Sequence, residues 1–342
     1  MQAMLLNKLG NLEDNSTPLE FRHLPVPKPG KGEVLLKVAA CGVCHTELDE
    51  IEGRTPPLSL PIIPGHQVVG RVTETGDGVF DFHQGDRLGV GWIFSACGHC
   101  DICLSGNENL CSEFMATGRD RNGGYAEYMV VPAAFCYPIP DAISDVEAAP
   151  LLCAGAIGYR SLKLTGMKDG DTIGLIGFGA SAHLVLKMVV YSHPNSKIFV
   201  FTRSLEEQKF AIELGATWSG DVGDKPPSLI HSIIDTTPAW KPIIKGLGNL
   251  RPGGRLVINA IRKEQNEKDW LMKLEYPTHL WMEKEIKSVA NVTRKDISEF
   301  LELAAKASLT PEFQIYSLSE ANIALMELKN RNIHGAKVLR IS

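Results

Sequence analysis

Most of the chemistry available to this 342-residue chain lies in eight cysteines, and they are unevenly spaced. Cys97, Cys100, Cys103 and Cys111 follow the pattern C-x2-C-x2-C-x7-C. Four thiolates complete a tetrahedral Zn²⁺ and leave no open coordination position, so such a site holds structure. Gly98, Gly106 and Asn107 supply the turns that let closely spaced ligands converge. An iron–sulfur cluster, which four thiolates also suit, is the other soft-ligand reading. The remaining cysteines are Cys41, Cys44, Cys136 and Cys153. Cys44 stands in Cys41-Gly42-Val43-Cys44-His45-Thr46, and His66 in Pro64-Gly65-His66-Gln67. Two cysteines and one histidine, with a fourth position left for water or substrate, make a catalytic zinc pattern. Spacing alone does not bring Cys153 to Cys44.

A second chemistry is written in Gly177-Phe178-Gly179-Ala180-Ser181-Ala182, which follows an apolar run and opens a helical one. This is G-x-G-x-x-A, a variant of the dinucleotide-binding fingerprint. Gly177 allows the tight turn, Gly179 lets the backbone approach a pyrophosphate, and Ala182 takes the third glycine's place at the helix–strand contact. From Ala180 the helix N-terminus offers unpaired N–H groups to the phosphates. The next strand ends in Thr202-Arg203-Ser204. An acid near Thr202 would bind the ribose hydroxyls of NAD; none stands there, and a guanidinium follows at once. Arg203 can bond a 2′-phosphate bidentately, with Thr202 and Ser204 adding hydroxyl donors. NADP(H) is therefore expected over NAD(H). The alternative is that Arg203 is a solvated surface residue.

The elements that must position these groups divide into two textures. Residues 1–150 read as β-rich, with strand-like runs at 32–40, 68–72, 86–90 and 123–131 separated by Gly and Pro turns. A helical pattern begins near Asp145. From Asp171 strands at 172–176, 197–201, 230–234 and 255–260 alternate with helices at 180–191 and 206–214. That alternation implies βαβ units and a parallel sheet, hence an α/β chain. The tail carries helical stretches at 299–307 and 320–329 and a last strand at 337–341. Forty acidic against 35 Lys and Arg residues give a net charge of −5, and 44% of the chain is hydrophobic. Such a chain can bury cores, which excludes disorder, and it lacks the basic stripe of a nucleic-acid binder. No signal-peptide pattern or membrane-length apolar run is visible, so a cytoplasmic protein without membrane partners is expected. In that compartment clustered thiols point to metal.

Cys44-His45-Thr46, Pro64-Gly65-His66, the four-cysteine lobe, Gly123-Gly124-Tyr125-Ala126-Glu127-Tyr128 and Leu151-Leu152-Cys153-Ala154-Gly155 occur together and in order. This combination resembles the zinc-dependent alcohol dehydrogenases of the medium-chain dehydrogenase/reductase family, over essentially the whole chain. The resemblance implies a GroES-like catalytic domain, residues 1–153 and 291–342, with a structural-zinc lobe at about 92–113. It also implies a Rossmann cofactor domain with a doubly wound parallel sheet at 154–290. Two Zn²⁺ per chain are implied, one held by Cys44, His66 and Cys153, the other by Cys97, Cys100, Cys103 and Cys111. Cys41 and Cys136 are left as buried packing. The implied reaction is reversible hydride transfer between a small-molecule alcohol or aldehyde and the nicotinamide cofactor. Zinc stabilises the alkoxide as it does hydroxide.

Within that pattern Thr46 matches the hydroxyl that relays the substrate proton, and His45 lies near the cofactor pyrophosphate. Trp92 matches an aromatic lining the substrate pocket; its alternative is a core ring. Three departures stand out. Asp49 occupies the position where the family often ends the proton relay in histidine. Either Asp49 relays at a shifted pKa, or the proton leaves by another route. Gln67 replaces a glutamate after the ligand histidine. Glu47 replaces an aspartate that orients it. The resemblance further suggests a homodimer or homotetramer. The competing readings are a zinc-independent enone or quinone reductase of the same superfamily and a non-catalytic cofactor-binding or redox-sensing protein.

Overall fold

The computed structural model describes residues 1–330 and 335–342. The chain divides into two compact units, Met1–Ala156 with Asn291–Ser342, and Ile157–Ala290. The first boundary falls at Ala156 rather than at residue 153. Cys153 lies inside an unbroken helical stretch: Asp145–Pro150, a π-helical turn Leu151–Gly155, then Ala156–Thr165. Glu147 caps its start, accepting from the Ser144 N–H at 2.9 Å. Pro150 has no N–H to give to the helical ladder, and the wider turn follows it directly.

In the first unit the long strand Glu33–Val43 is the organiser. Antiparallel to it run Val68–Thr75 on one side, and Tyr128–Pro132 and Ala336–Arg340 at its two ends on the other. The sheet continues outward through Arg87–Val90 to Tyr137–Pro138, and on the other edge to Phe313–Ser317. Val34, Leu36, Val38, Val68, Leu88, Val131 and Leu339 form its core with Leu325 and Leu328 of the helix Ala321–Lys329. Alternate apolar residues along these strands face inward, as the period of two requires.

The run 123–131, expected as one strand, is extended only over Tyr128–Pro132. Its first half pairs with a loop instead. The N–H groups of Gly123, Gly124 and Tyr125 donate to the carbonyls of Ile63, Gly65 and Pro64, at 2.7, 2.9 and 3.0 Å. Two glycines permit that approach: a Cβ on Gly123 would collide with the backbone of Pro64 and Gly65. The segment therefore clamps the loop that carries His66.

The second unit holds a six-stranded sheet with every pair parallel. In space the strands run Trp218–Gly220, Lys197–Phe201, Thr172–Ile176, Ile230–Asp235, Leu250–Ile258, Glu285–Ser288. Numbered along this unit, that is the order 3-2-1-4-5-6 of a dinucleotide-binding sheet, with its switch point between strands one and four. Ile176, Phe199, Phe201, Ile233 and Leu256 pack with Ile243 and Leu247 of the helix Lys241–Asn249. The sequence reading had no element for that helix, nor for the strands Trp218–Gly220 and Glu285–Ser288. Both strands are short, and Glu285–Ser288 is exposed throughout.

Candidate functional site

Cys44 leaves the end of the long strand in extended conformation and caps the helix His45–Ile51. Its N–H donates to Glu47 Oε2 at 2.8 Å, while Glu47 Oε1 meets His66 Nδ1 at 2.5 Å. One fully buried carboxylate thus fixes a cysteine backbone and a histidine ring together. The one extra methylene relative to aspartate does not prevent this contact. It also leaves His66 Nε2 buried with no hydrogen-bond partner, an arrangement that costs free energy unless another group completes it. Cys153 reaches the same place from the π-helical turn. The ligand atoms of Cys44, His66 and Cys153 all lie within 4.8 Å of one another. The sequence pattern did not bring these three together unaided; the fold does.

The electrostatics suit a cation. Cys153 hydrogen-bonds the Cys44 thiol and, with His66, holds it well below its ordinary range, despite burial. That pairing and burial push Cys153 up in turn. Burial opposes a proton on His66, but the charge of Glu47 and the Cys44 sulfur outweigh it and hold the imidazole above its ordinary range. One nitrogen and two sulfurs, three donors with one side open, fit a Zn²⁺ site of the catalytic kind. The carboxylate on the far nitrogen fits the partner such a histidine requires.

Around this trio Thr46 Oγ1 stands 3.6 Å from Cys44 Sγ. The Trp92 ring meets His66 edge-on, centroids 6.5 Å apart, and leans on Phe114 at 5.5 Å. The Arg119 guanidinium lies over its face at 5.2 Å. His45 is exposed at the start of its helix. The Asp49 carboxylate is buried in an ion pair with Arg54, which also pairs with Glu52. Sequence reasoning missed Glu50. It is 2% exposed, and neither carboxyl oxygen has a hydrogen-bond partner of normal geometry. Burial, then the charge of Glu47, push its pKa well above the carboxylate range. No local signal marks it, because Glu50 lies in the same acidic helix as Glu47 and Asp49. Only the tertiary fold separates a paired carboxylate from an unpaired one.

In the lobe the four sulfurs of Cys97, Cys100, Cys103 and Cys111 also lie within 4.8 Å of one another, and none is in a disulfide. Cys97 and Cys103 are 3.8 Å apart, Cys100 and Cys111 4.0 Å. Tetrahedral Zn–S bonds of about 2.3 Å put sulfurs about 3.8 Å apart. The spacing fits a single ion and leaves no room for a multi-iron core. Backbone N–H groups of Cys100, Cys103 and Glu113 point at the sulfurs of Cys97, Cys100 and Cys111, at 3.4, 3.4 and 3.3 Å. Such bonds favour the thiolate: the backbone N–H of His99, then that of Cys100, lower Cys97 to about 6. The lobe is anchored by Glu108, whose Oε1 accepts from the Arg294 N–H at 2.8 Å and from its guanidinium at 3.3 Å. Cys41 and Cys136 are buried, and burial raises both thiols. They pack, with no ligand partner among the described residues.

In the second unit Gly177 follows the first strand with φ +79°, and a Cβ there would press on Thr236 and Thr237. Gly179 caps the helix Ala180–Ser192, and a Cβ there would meet nothing within 4 Å. The space beside Gly179 is thus open at the point where the helix N-terminus begins. Ala182 is buried against the sheet. At the tip of the neighbouring strand Arg203 and Ser204 are exposed and Thr202 is buried. The hydroxyl of Ser204 caps the helix Leu205–Glu213, accepting from the Glu207 N–H at 3.3 Å.

A GroES-like sheet bearing a thiolate–imidazole trio, with a 3-2-1-4-5-6 parallel sheet behind a glycine loop, defines a medium-chain dehydrogenase. Residues 30–141 match the alcohol dehydrogenase GroES-like domain. The chain is 40% identical to the probable alcohol dehydrogenase AdhA of Mycobacterium tuberculosis, over all of this chain and 97% of that one. It is 33% identical to an alcohol dehydrogenase of Geobacillus stearothermophilus, over 94% and 96%. A cobalt- and zinc-bound thermostable alcohol dehydrogenase from Pyrobaculum aerophilum superposes with a TM-score of 0.86 at 23% identity, covering 99% of each chain. The protein belongs to the zinc-type alcohol dehydrogenases of the medium-chain dehydrogenase/reductase family, oxidoreductases that act on CH–OH groups. No helix among the described residues is long and apolar enough to cross a membrane.

Proposed function

We propose that the protein is a zinc-dependent alcohol dehydrogenase or aldehyde reductase using NADP(H) in preference to NAD(H). The observation that carries this reading is the convergence of Cys44, His66 and Cys153, with one buried imidazole nitrogen left unpartnered. Those three residues would hold the catalytic zinc; Cys97, Cys100, Cys103 and Cys111 would hold a structural one. When bound, zinc supplies Lewis acidity toward an alcohol or carbonyl oxygen, and the nicotinamide supplies hydride exchange.

The chain's own residues supply the rest. Glu47 orients His66 by accepting from Nδ1, so that Nε2 is the nitrogen left to give up its proton and offer a lone pair to a metal. Thr46, beside Cys44, accepts the substrate proton at Oγ1 and passes it on. Asp49, held by Arg54, is the candidate carboxylate further along that route. Gly177, Gly179, Ala180 and Ala182 would seat the pyrophosphate, and Arg203 the adenosine 2′-phosphate. Trp92, edge-on to His66 and against Phe114, would line the substrate pocket beside the reacting centre.

The test is NADPH oxidation across aldehydes and ketones of graded size, run with and without a zinc chelator, beside metal analysis of the purified protein. Two zincs per chain and chelator-sensitive turnover are expected. Turnover that survives complete zinc removal would move the assignment to the zinc-independent reductases. Full zinc with no turnover on any carbonyl would leave a non-catalytic protein.

A further inference from the structure

The tip of the strand Lys197–Phe201 holds a carboxylate that its sequence position conceals. The Thr202 hydroxyl donates to Glu207 Oε2, and the Glu207 backbone N–H is held by the Ser204 hydroxyl at 3.3 Å. Gln208 fastens the same corner by donating to the Thr202 carbonyl at 2.8 Å. The Thr202 hydroxyl, expected to donate to a 2′-phosphate, thus already gives its proton to Glu207, while the Ser204 hydroxyl, which accepts from the Glu207 N–H, keeps its own proton to donate. The residue lies 30 positions beyond Gly177, outside the usual window for a ribose-binding acid, but the first turn of the helix returns it to the strand end. Arg203, one residue from Thr202, is exposed there.

We infer that Glu207 is a cofactor-discriminating residue, whose carboxylate accepts a hydrogen bond from an adenosine 2′-hydroxyl and opposes a 2′-phosphate beside Arg203. This rests on the cofactor reading above and refines it. A carboxylate and a guanidinium at one ribose pull in opposite directions. Arg203 draws in the phosphorylated cofactor, Glu207 limits the advantage, and the enzyme accepts both forms. Thr202 is the positioning residue: its hydroxyl holds the carboxylate at the strand tip.

Equilibrium binding tests this apart from turnover. The full-length zinc-loaded protein is titrated calorimetrically with 2′,5′-ADP and with 5′-AMP, and the ratio of the two dissociation constants is compared among variants. Glu207→Gln keeps the size and the contact to Thr202 and removes the charge. The ratio is expected to move about tenfold toward 2′,5′-ADP, the size of one charge contact near the surface. Thr202→Val, which frees the carboxylate, should move it in the same direction by less. Arg203→Ala should move it the opposite way. A Glu207→Gln shift below fivefold, with unchanged melting temperature, overturns the inference while the cofactor reading stands. Failure of the unmodified protein to bind either probe overturns both.

Discussion

The lobe gathers its four sulfurs from the single short stretch Cys97 to Cys111, whereas the second site draws on a strand end, a clamped loop and a π-helical turn. The two differ in how much protein each needs. A local site folds around its ion with a few turns of backbone. The dispersed site exists only when the sheet, the Gly123–Tyr125 clamp and the Asp145–Thr165 helical stretch are all in place. They also differ in closure. Four sulfurs saturate one ion; two sulfurs and a nitrogen leave a face for substrate. One site should therefore govern stability and the other turnover, and that division can be broken.

The largest effect is expected from Cys153→Ser. Catalytic efficiency should fall by about a thousandfold or more with the loss of a Lewis-acid ligand. Metal analysis should show one zinc fewer, and calorimetry a melting temperature within a few degrees of the parent. Cys103→Ser should invert this pattern. It also loses one zinc, but lowers the melting temperature by about 10 °C while turnover at 25 °C stays within about tenfold. If both variants lost activity and stability alike, the separation of roles would collapse. Next comes Glu47→Ala, which strips the carboxylate from His66. Competition with a chelator should show zinc held about 10–100-fold more weakly at one site only. The smallest effect belongs to Arg294→Ala. It removes one guanidinium contact to Glu108 and keeps the backbone one, so about 1 kcal/mol of stability is at stake. Its mark should be faster zinc release from the lobe, followed with a colorimetric chelator.

What was legible in the sequence follows the same local and dispersed division. The cysteine spacing of the lobe and the glycine loop at Gly177–Ala182 were readable because each is a contiguous motif with one geometry. The parallel sheet followed from the alternation of strand and helix, whereas its strand order came only with the structure. The strand expected at 123–131 was misassigned in its first half. Two glycines and a tyrosine have strand-like texture, yet their N–H groups serve the His66 loop rather than a ladder. The opening hairpin Gln2–Leu6 with Leu19–His23 went unread: its second strand has only two apolar residues in five, and four of the five are exposed. Cys153 joined the site through resemblance alone; nothing in residues 145–155 announces a π-helical turn. Glu207 and Glu50 were invisible for a related reason. Each is an acid in an acidic helix, and only its partner, or the lack of one, gives it meaning.

The packing of sulfurs in the lobe has a further consequence for the purified protein. Cys97 and Cys103, 3.8 Å apart, need only a small side-chain rotation to reach bonding distance once nothing holds them apart. Cys97 is partly exposed, and the His99 and Cys100 backbone N–H groups hold its thiol below the ordinary range, which makes it the readiest of the four sulfurs to react with an oxidant. Removing the ion in air should therefore be a one-way operation. The emptied lobe cross-links itself, refuses zinc on re-addition, and recovers only after a thiol reductant has reopened it. A protein stripped and restored under reducing gas should regain two metals per chain, and one stripped on the open bench should regain one.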